Sequence, residues 1–248
     1  MTDKSALLIS RLNEYADLSY MDSSYVKFTD FLDEFECSAA ISLYKNRYFE
    51  NYRLFGGYSE AVRKILCVYS DDAVLSKFPI RILKLKFNNT EYLSHRNILG
   101  ALMNLNIKRS LIGDICVFDD SAYVICTALS SEVIKTDLKT VGKSGITIEE
   151  IKPEEFCYTP KTEEKTVIIA SERLDCIVSA LCDISRAKAS EYIASSLVFI
   201  NGEAVKNESK KISEGVKLSV RGYGKFILCD LKSRTHKGRI KLVAKKFI

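Results

Sequence analysis

The sequence predicts a multidomain α+β protein, and three observations lead there. Apolar residues recur at helical spacing near the N-terminus, as at Leu7, Leu8, Leu12, Tyr15 and Ala16. From Ile65 the pattern changes to short alternating runs separated by helical stretches. The last 78 residues carry 16 Lys and Arg against 8 Asp and Glu, a balance of +8, whereas the remainder has 21 against 24. The expected organisation is a mostly helical N-terminal region at 1–64, an α/β domain at 65–156, a linker at 157–170 and a basic module at 171–248.

In the N-terminal region, Thr29 to Glu34 reads as a turn, and Ala39, Ala40, Leu43 and Tyr44 resume helical spacing. Lys45 to Tyr58 mixes aromatics with Arg47 and Arg53. Such a mixture stacks on unpaired bases in some proteins and packs cores in more of them. Gly56-Gly57 closes the segment as a flexible turn.

The middle region opens with a β-rich run, Ile65 to Tyr69. Ile80, Ile82, Leu85 and Phe87 then alternate with Arg81, Lys84 and Lys86. Ser94 to Leu105 presents Ile98, Leu99, Leu102 and Leu105 on one helical face. Ile115–Phe118 and Ala122–Thr127 read as a hairpin, Ser130–Leu138 as a helix and Thr147–Ile151 as a strand. The order β-α-β-β-α-β is ferredoxin-like, an architecture RRM domains share. No stretch carries the basic-Gly-aromatic surface strand of an RRM, so base stacking on this sheet is not implied. Lys152 to Thr166 holds Pro153, Pro160 and four glutamates, a linker composition.

The basic module begins with two helix signals. Leu174, Ile177, Val178 and Leu181 form the apolar face of the first. Ser185 is placed to cap the second, on which Ala189 and Ile193 sit four apart. Val198-Phe199-Ile200 leads into Asn201-Gly202. Both central positions of a type I′ turn need φ > 0, so this pair predicts a hairpin. Val216, Leu218 and Val220 alternate with Lys217, Ser219 and Arg221, and the last strand runs from Ile240 to Phe247. Arg173 opens the first helix; Arg186 and Lys188 lie in the first turn of the second. Cations there face the positive end of the helix dipole, which suggests an external anion. The bland reading of each one alone is solvated charge.

Two sets of residues carry family resemblances. Arg173-Leu174-Asp175, Ser185-Arg186-x-Lys188-Ala189, Val198-x-Ile200-Asn201-Gly202 and Gly215-x-x-Leu218-x-Val220 resemble an S4 (αL-type) RNA-binding domain over about 75 residues. Where that family often has Gly before the strand, this chain has Ser196-Leu197, which weakens the C-cap of the second helix. His95-Arg96-Asn97-Ile98-Leu99-Gly100-Ala101-Leu102, then Ile107-Lys108-Arg109 and Ile112-Gly113-Asp114-Ile115, resembles the central domain of the YlmH-like bacterial S4-domain proteins, often encoded beside cell-division genes. Their pattern is HRDxLGALxxLGIxRxxxGDI; Asn97 and Asn106 depart from it.

The resemblance implies a non-catalytic protein that binds structured RNA, ribosomal or transfer RNA, on the large ribosomal subunit and acts in rescue of stalled translation. The implied RNA-binding residues are Arg173, Ser185, Arg186, Lys188, Asn201, Gly202, Lys206, Arg221 and Lys225. Arg96, Lys108, Arg109, Lys232, Arg234, Lys237 and Arg239 are candidates for secondary contacts, with solvated loops as the other reading. The alternatives are an adaptor for a cell-division protein that uses S4 as an RNA tether, and an RNA-modifying enzyme with an unfamiliar site.

No catalytic residue, cofactor or metal is expected. Around His95 the sequence shows no nucleophile or carboxylate in a recognisable catalytic arrangement, so it reads as a helix-start or hydrogen-bonding histidine, and the chain carries neither a phosphate-cradling GxxxxGK[ST] loop nor a Gly-rich cofactor loop. The eight cysteines include no CxxC pair. Cys176, Cys182 and Cys229 lie in apolar runs and read as buried. No run of 18 apolar residues and no signal peptide is present, so a cytoplasmic protein with reduced thiols is expected.

Overall fold

The computed structural model describes residues 3–70, 77–87, 94–118, 120–231, 233–235 and 238–247. The chain forms two compact units, Met1–Tyr158 and Thr159–Ile248.

The first unit starts with α1 (Asp3–Met21), which buries Leu8, Leu12 and Ala16, spaced four apart. The segment expected as a turn is instead part of β1 (Val26–Leu32). Its acids mislead: Asp30 points to solvent on the strand, and Asp33 is the N-cap of α2 (Glu34–Asn46). Asp33 and Glu36 make a reciprocal capping box at 2.8 and 2.9 Å. β2 (Tyr52–Phe55) and β3 (Lys64–Tyr69) complete a three-stranded sheet of order β1-β3-β2. The run Ile65–Tyr69, expected to open the middle domain, is thus the centre of the N-terminal sheet. The aromatics of 45–58 mostly pack: Phe49 and Tyr52 join the core under α1 and α2, Phe55 and Tyr58 join a second core, and Tyr48 stays exposed. Gly56-Gly57 is no loose turn, since a Cβ on Gly56 would lie 2.4 Å from Ala61 Cβ.

β4 (Ile80–Phe87), α3 (His95–Asn104), β5 (Ile112–Val117), β6 (Ser121–Thr127), α4 (Ala128–Asp137), β7 (Thr140–Val141) and β8 (Ser144–Ile151) form the second layer. The antiparallel sheet has the order β5-β6-β4-β8-β7. Apart from the short β7, that is the ferredoxin-like arrangement. Helices α3 and α4 cover one face through Ile98, Leu102 and Ile134. The other face is also covered: Ile80, Ile82, Cys116 and Ile125 share a core with Phe31, Tyr58, Ile65 and Phe156. An RRM reads bases on that face. Here it is filled by protein.

The second unit is a six-stranded antiparallel sheet under two helices. Its elements are β9 (Thr162–Ile169), α5 (Leu174–Cys182), α6 (Arg186–Ala194), β10 (Val198–Ile200), β11 (Glu203–Ala204), β12 (Lys217–Val220), β13 (Gly224–Asp230) and β14 (Ile240–Phe247), in the order β11-β10-β12-β13-β14-β9. Leu174, Ile177, Val178 and Leu181 pack with Ala189 and Ile193 onto Val198, Leu218, Val220, Phe226, Leu228 and Leu242. β9 lies where composition suggested a linker. Its glutamates suit a strand here because Glu164 faces Lys245, and Glu163 faces Lys246, on β14. Asn201 and Gly202 have φ of +49° and +84° between the paired Ile200 and Glu203, the predicted two-residue turn.

Candidate nucleic-acid interface

A buried carboxylate sets the arrangement at the start of α5. Asp175 is 2% exposed. Arg173, the N-cap of α5, donates from Nε and Nη2 to its two oxygens at 3.0 and 3.2 Å. Arg186, the first residue of α6, donates from Nη2 at 2.5 Å. The Cys176 backbone N–H adds a fourth bond at 2.9 Å. Burial by itself pushes the Asp175 carboxyl up. The hydrogen bonds from Arg173 and Arg186, with the Arg186 charge, outweigh it and hold the group at about 2. The two guanidinium groups are therefore fixed together, yet 37% and 59% of their side-chain surface stays open. Arg186 at the start of α6 therefore does not await the external anion that its position suggests. In the free protein Arg186 already has an anion, Asp175.

More cations join from a segment the sequence did not single out. The Leu174 N–H donates to Lys210 C=O at 2.9 Å, and Arg173 bridges antiparallel to Lys211, so the exposed Lys210 and Lys211 run beside the α5 start. Their signal was present in the run Lys206-Asn-Glu-Ser-Lys-Lys211. Arg234 donates to Leu231 C=O at 2.9 Å and lies 3.6 Å from Glu172, which brings it near the same helix start. Arg239 is exposed, and its backbone N–H donates to Thr235 Oγ1 at 3.1 Å. Lys232 and Lys237 lie outside the described residues.

The other expected S4 residues divide between scaffolding and exposure. Ser185 Oγ accepts from the Lys188 N–H at 3.2 Å, the predicted cap, and the Lys188 side chain is exposed. Asn201 Oδ1 accepts from Lys217 N–H at 3.0 Å, so this side chain ties the hairpin to β12. Lys206 and Lys225 are exposed. Arg221 sits 5.9 Å from the centre of the Phe199 ring, a cation–π contact on the sheet face away from the helices. Cys176 and Cys182 are buried as expected; Cys229 is exposed, because it falls on the outward register of β13.

In the first unit the middle motif splits in two. Arg109 was a candidate RNA contact, but its guanidinium donates to Ile112 C=O at 2.5 Å and Gly113 C=O at 3.2 Å. Burial, then the nearby Arg63, pulls its pKa down to about 10. Asp114 accepts from Tyr58 Oη, Val62 N–H and Arg63 N–H at 2.9, 2.6 and 3.1 Å. Gly113 leaves room for Phe31, whose Cε1 would be 2.7 Å from an added Cβ. These residues clasp the N-terminal layer to the sheet. Arg96 and Lys108 are exposed. His95 is exposed at the first position of α3, after the Ser94 cap.

Both departures in the motif have local explanations. Asn97 Oδ1 accepts from the Ser94 N–H at 3.0 Å, as a carboxylate would. Asn106 has φ +57°, and Asn tolerates that region better than most side chains. Among the described residues no cluster of three or more His, Cys, Asp or Glu is placed to hold a metal ion, and no helix is long and apolar enough to cross a membrane.

Comparison with known proteins agrees with this division. Residues 75–155 match the family described as "Putative RNA-binding domain in YlmH", and residues 172–218 match the S4 domain. The ribosome-associated protein quality control protein P2 of Bacillus subtilis is 28% identical over 222 residues, which is 86% of this chain and 84% of that protein. The cell division protein ylmH from Streptococcus pneumoniae shares the fold, with a TM-score of 0.52 at 21% identity over 63% of this chain and 97% of its own. The chain carries a YlmH-type RNA-binding domain in its first unit and an S4 domain in its second, and in that pairing it is YlmH-like.

Proposed function

We propose that this chain is a non-catalytic, cytoplasmic protein that captures folded ribosomal or transfer RNA on the large ribosomal subunit and acts when translation stalls. The name of its Bacillus subtilis relative supports the ribosomal setting. The observation that carries the RNA reading is the Arg173–Asp175–Arg186 clamp. A guanidinium forks onto phosphate oxygens with two hydrogen bonds, and ordering a long side chain on binding costs affinity. Asp175 has already ordered both arginines in the free protein. It engages two donors of Arg173 and one of Arg186, of five on each guanidinium. Lys188, Lys206, Lys210 and Lys211 add exposed charge. Contacts of this kind position an RNA by shape and phosphate spacing rather than by base identity.

The test has to respect the clamp. Replacing the two arginines alone would strand a buried carboxylate and damage the fold. The triple variant Arg173→Ala, Asp175→Ala, Arg186→Ala removes the whole ion cluster. Lys27→Ala with Lys45→Ala, both exposed, is the control. On a sucrose gradient the triple variant is expected to leave the large subunit, and the control to stay. Binding of the unmodified chain to ribosomal RNA should weaken with salt as expected for roughly 4–6 neutralised phosphates, and the triple variant should lose about two of them. Ribosomal RNA modifications should be identical with and without the protein. Co-sedimentation of the triple variant at the unmodified level would place the binding surface elsewhere.

A further inference from the structure

The S4 unit does not account for an open cleft on the other unit. It lies between α3 and β7, has a volume of about 600 Å3, and is lined by Arg96, Asn97, Gly100, Asn104, Lys139 and Thr140 among others. Arg96, Gly100 and Asn104 are spaced four apart and form one row along the outer face of α3. The opposite face of the helix buries Ile98 and Leu102.

Gly100 is the anomaly. A glycine inside a helix is less favourable than alanine, because it gives up more backbone freedom and adds no contact. Packing usually explains such a residue, as Phe31 explains Gly113. Among the described residues nothing lies within 4 Å of a Cβ placed on Gly100. Packing among the described residues gives no reason for this weak helix former, which stands at the centre of an exposed row that starts with a cation. An open glycine there lets an external backbone come close to α3.

We propose that this cleft is a second RNA site, which takes the sugar-phosphate backbone of a strand across Gly100. The inference rests on the RNA-binding reading above and adds to it a place in the YlmH-type domain. Three observations choose RNA as the occupant. The sheet face that an RRM would use is filled by Phe31, Tyr58 and Phe156, so contact from this layer has to come from the helix side. Arg96 at one end and Lys139 across the cleft outnumber the one lining acid, Asp137, in keeping with a polyanion. The Asn104 amide and the Thr140 hydroxyl offer hydrogen-bond partners suited to phosphate oxygens and the ribose 2′-hydroxyl.

The deciding variant is Gly100→Ala, because its two effects have opposite signs. The added methyl meets nothing in the free chain, so the thermal midpoint of the full-length protein should rise by roughly 2–4 °C. The methyl would stand between α3 and the strand, so affinity for deproteinised large-subunit ribosomal RNA should fall about five-fold or more, and Gly100→Leu should lose more. Arg96→Ala should weaken the same binding and lower the slope of log affinity against log salt by about one. A Gly100→Ala protein that is more stable and binds the RNA as before overturns the site. One that binds free ribosomal RNA normally but loses intact large subunits assigns the cleft to a protein, which also overturns it. If the unmodified chain binds no ribosomal RNA, the wider RNA reading fails first, and that result is distinct from either of these.

Discussion

Asp175→Asn tests the centre of the S4 unit with a change of one atom. The carboxyl sits at about 2 in the folded protein against an ordinary 3.8. Each unit of difference corresponds to about 1.36 kcal/mol, so the ionised group contributes about 2 kcal/mol to the stability of this unit at neutral pH. The asparagine keeps one acceptor for the three guanidinium bonds and turns its amide donors toward like donors, so most of that contribution should be lost. The folded pKa is depressed, so the contribution is fully present above pH 4 and is lost as pH falls toward 2. Amide hydrogen exchange at Ile177, Val178 and Leu181 reads the opening of α5 directly. The gap between the unmodified chain and Asp175→Asn should be about 2 kcal/mol at pH 6.5 and about 1 kcal/mol smaller at pH 3. A gap of the same size at both values would mean that charge is not what Asp175 contributes, and the clamp argument would fall.

Ser196→Gly should stabilise the second unit by roughly 0.5–1 kcal/mol. Ser196 has φ +57° in a Schellman closure of α6, with Leu197 N–H on Tyr192 C=O and Ser196 N–H on Ile193 C=O, both at 3.0 Å, and thermal unfolding checks it. Gly113→Ala should destabilise the first unit by about 1–3 kcal/mol, because Phe31 is 1% exposed and cannot swing away from the new methyl; urea unfolding reads the loss.

Turn chemistry revealed the hairpin at Asn201-Gly202, and periodicity revealed α3, α5 and the strand at Lys217–Val220, because each has one buried and one more open face. It missed β1 and β9 for a shared reason. Both carry acids that read as turn or linker composition; at β1 Asp30 is accommodated by facing solvent and Asp33 by capping α2, and in β9 Glu164 is accommodated by pairing opposite Lys245. The candidate site was legible as residue types and not as partners. Arg173 and Arg186 stand 13 positions apart, and the carboxylate that joins them is an ordinary Asp until its 2% exposure is known. Arg109 shows the converse. A basic residue in a motif resembles a contact, and only the carbonyls of Ile112 and Gly113 reveal it as a brace.

The YlmH-type motif joins two kinds of glycine that spacing alone treats alike. Gly113 is filled by a neighbour's ring, so its missing side chain serves the fold. Gly100 faces open space, so its missing side chain serves nothing inside the described chain. Alanine at the two positions should therefore move stability in opposite directions, down at Gly113 and up at Gly100. Only the second change should touch binding in a protein that remains folded. The same sorting applies to the cations. Arg109 is closed over carbonyls, Arg173 and Arg186 are held but open, and Arg96 stands free of the core at the end of the Gly100 row. Burial of the guanidinium, rather than its place in a motif, decides which arginines remain available to a phosphate.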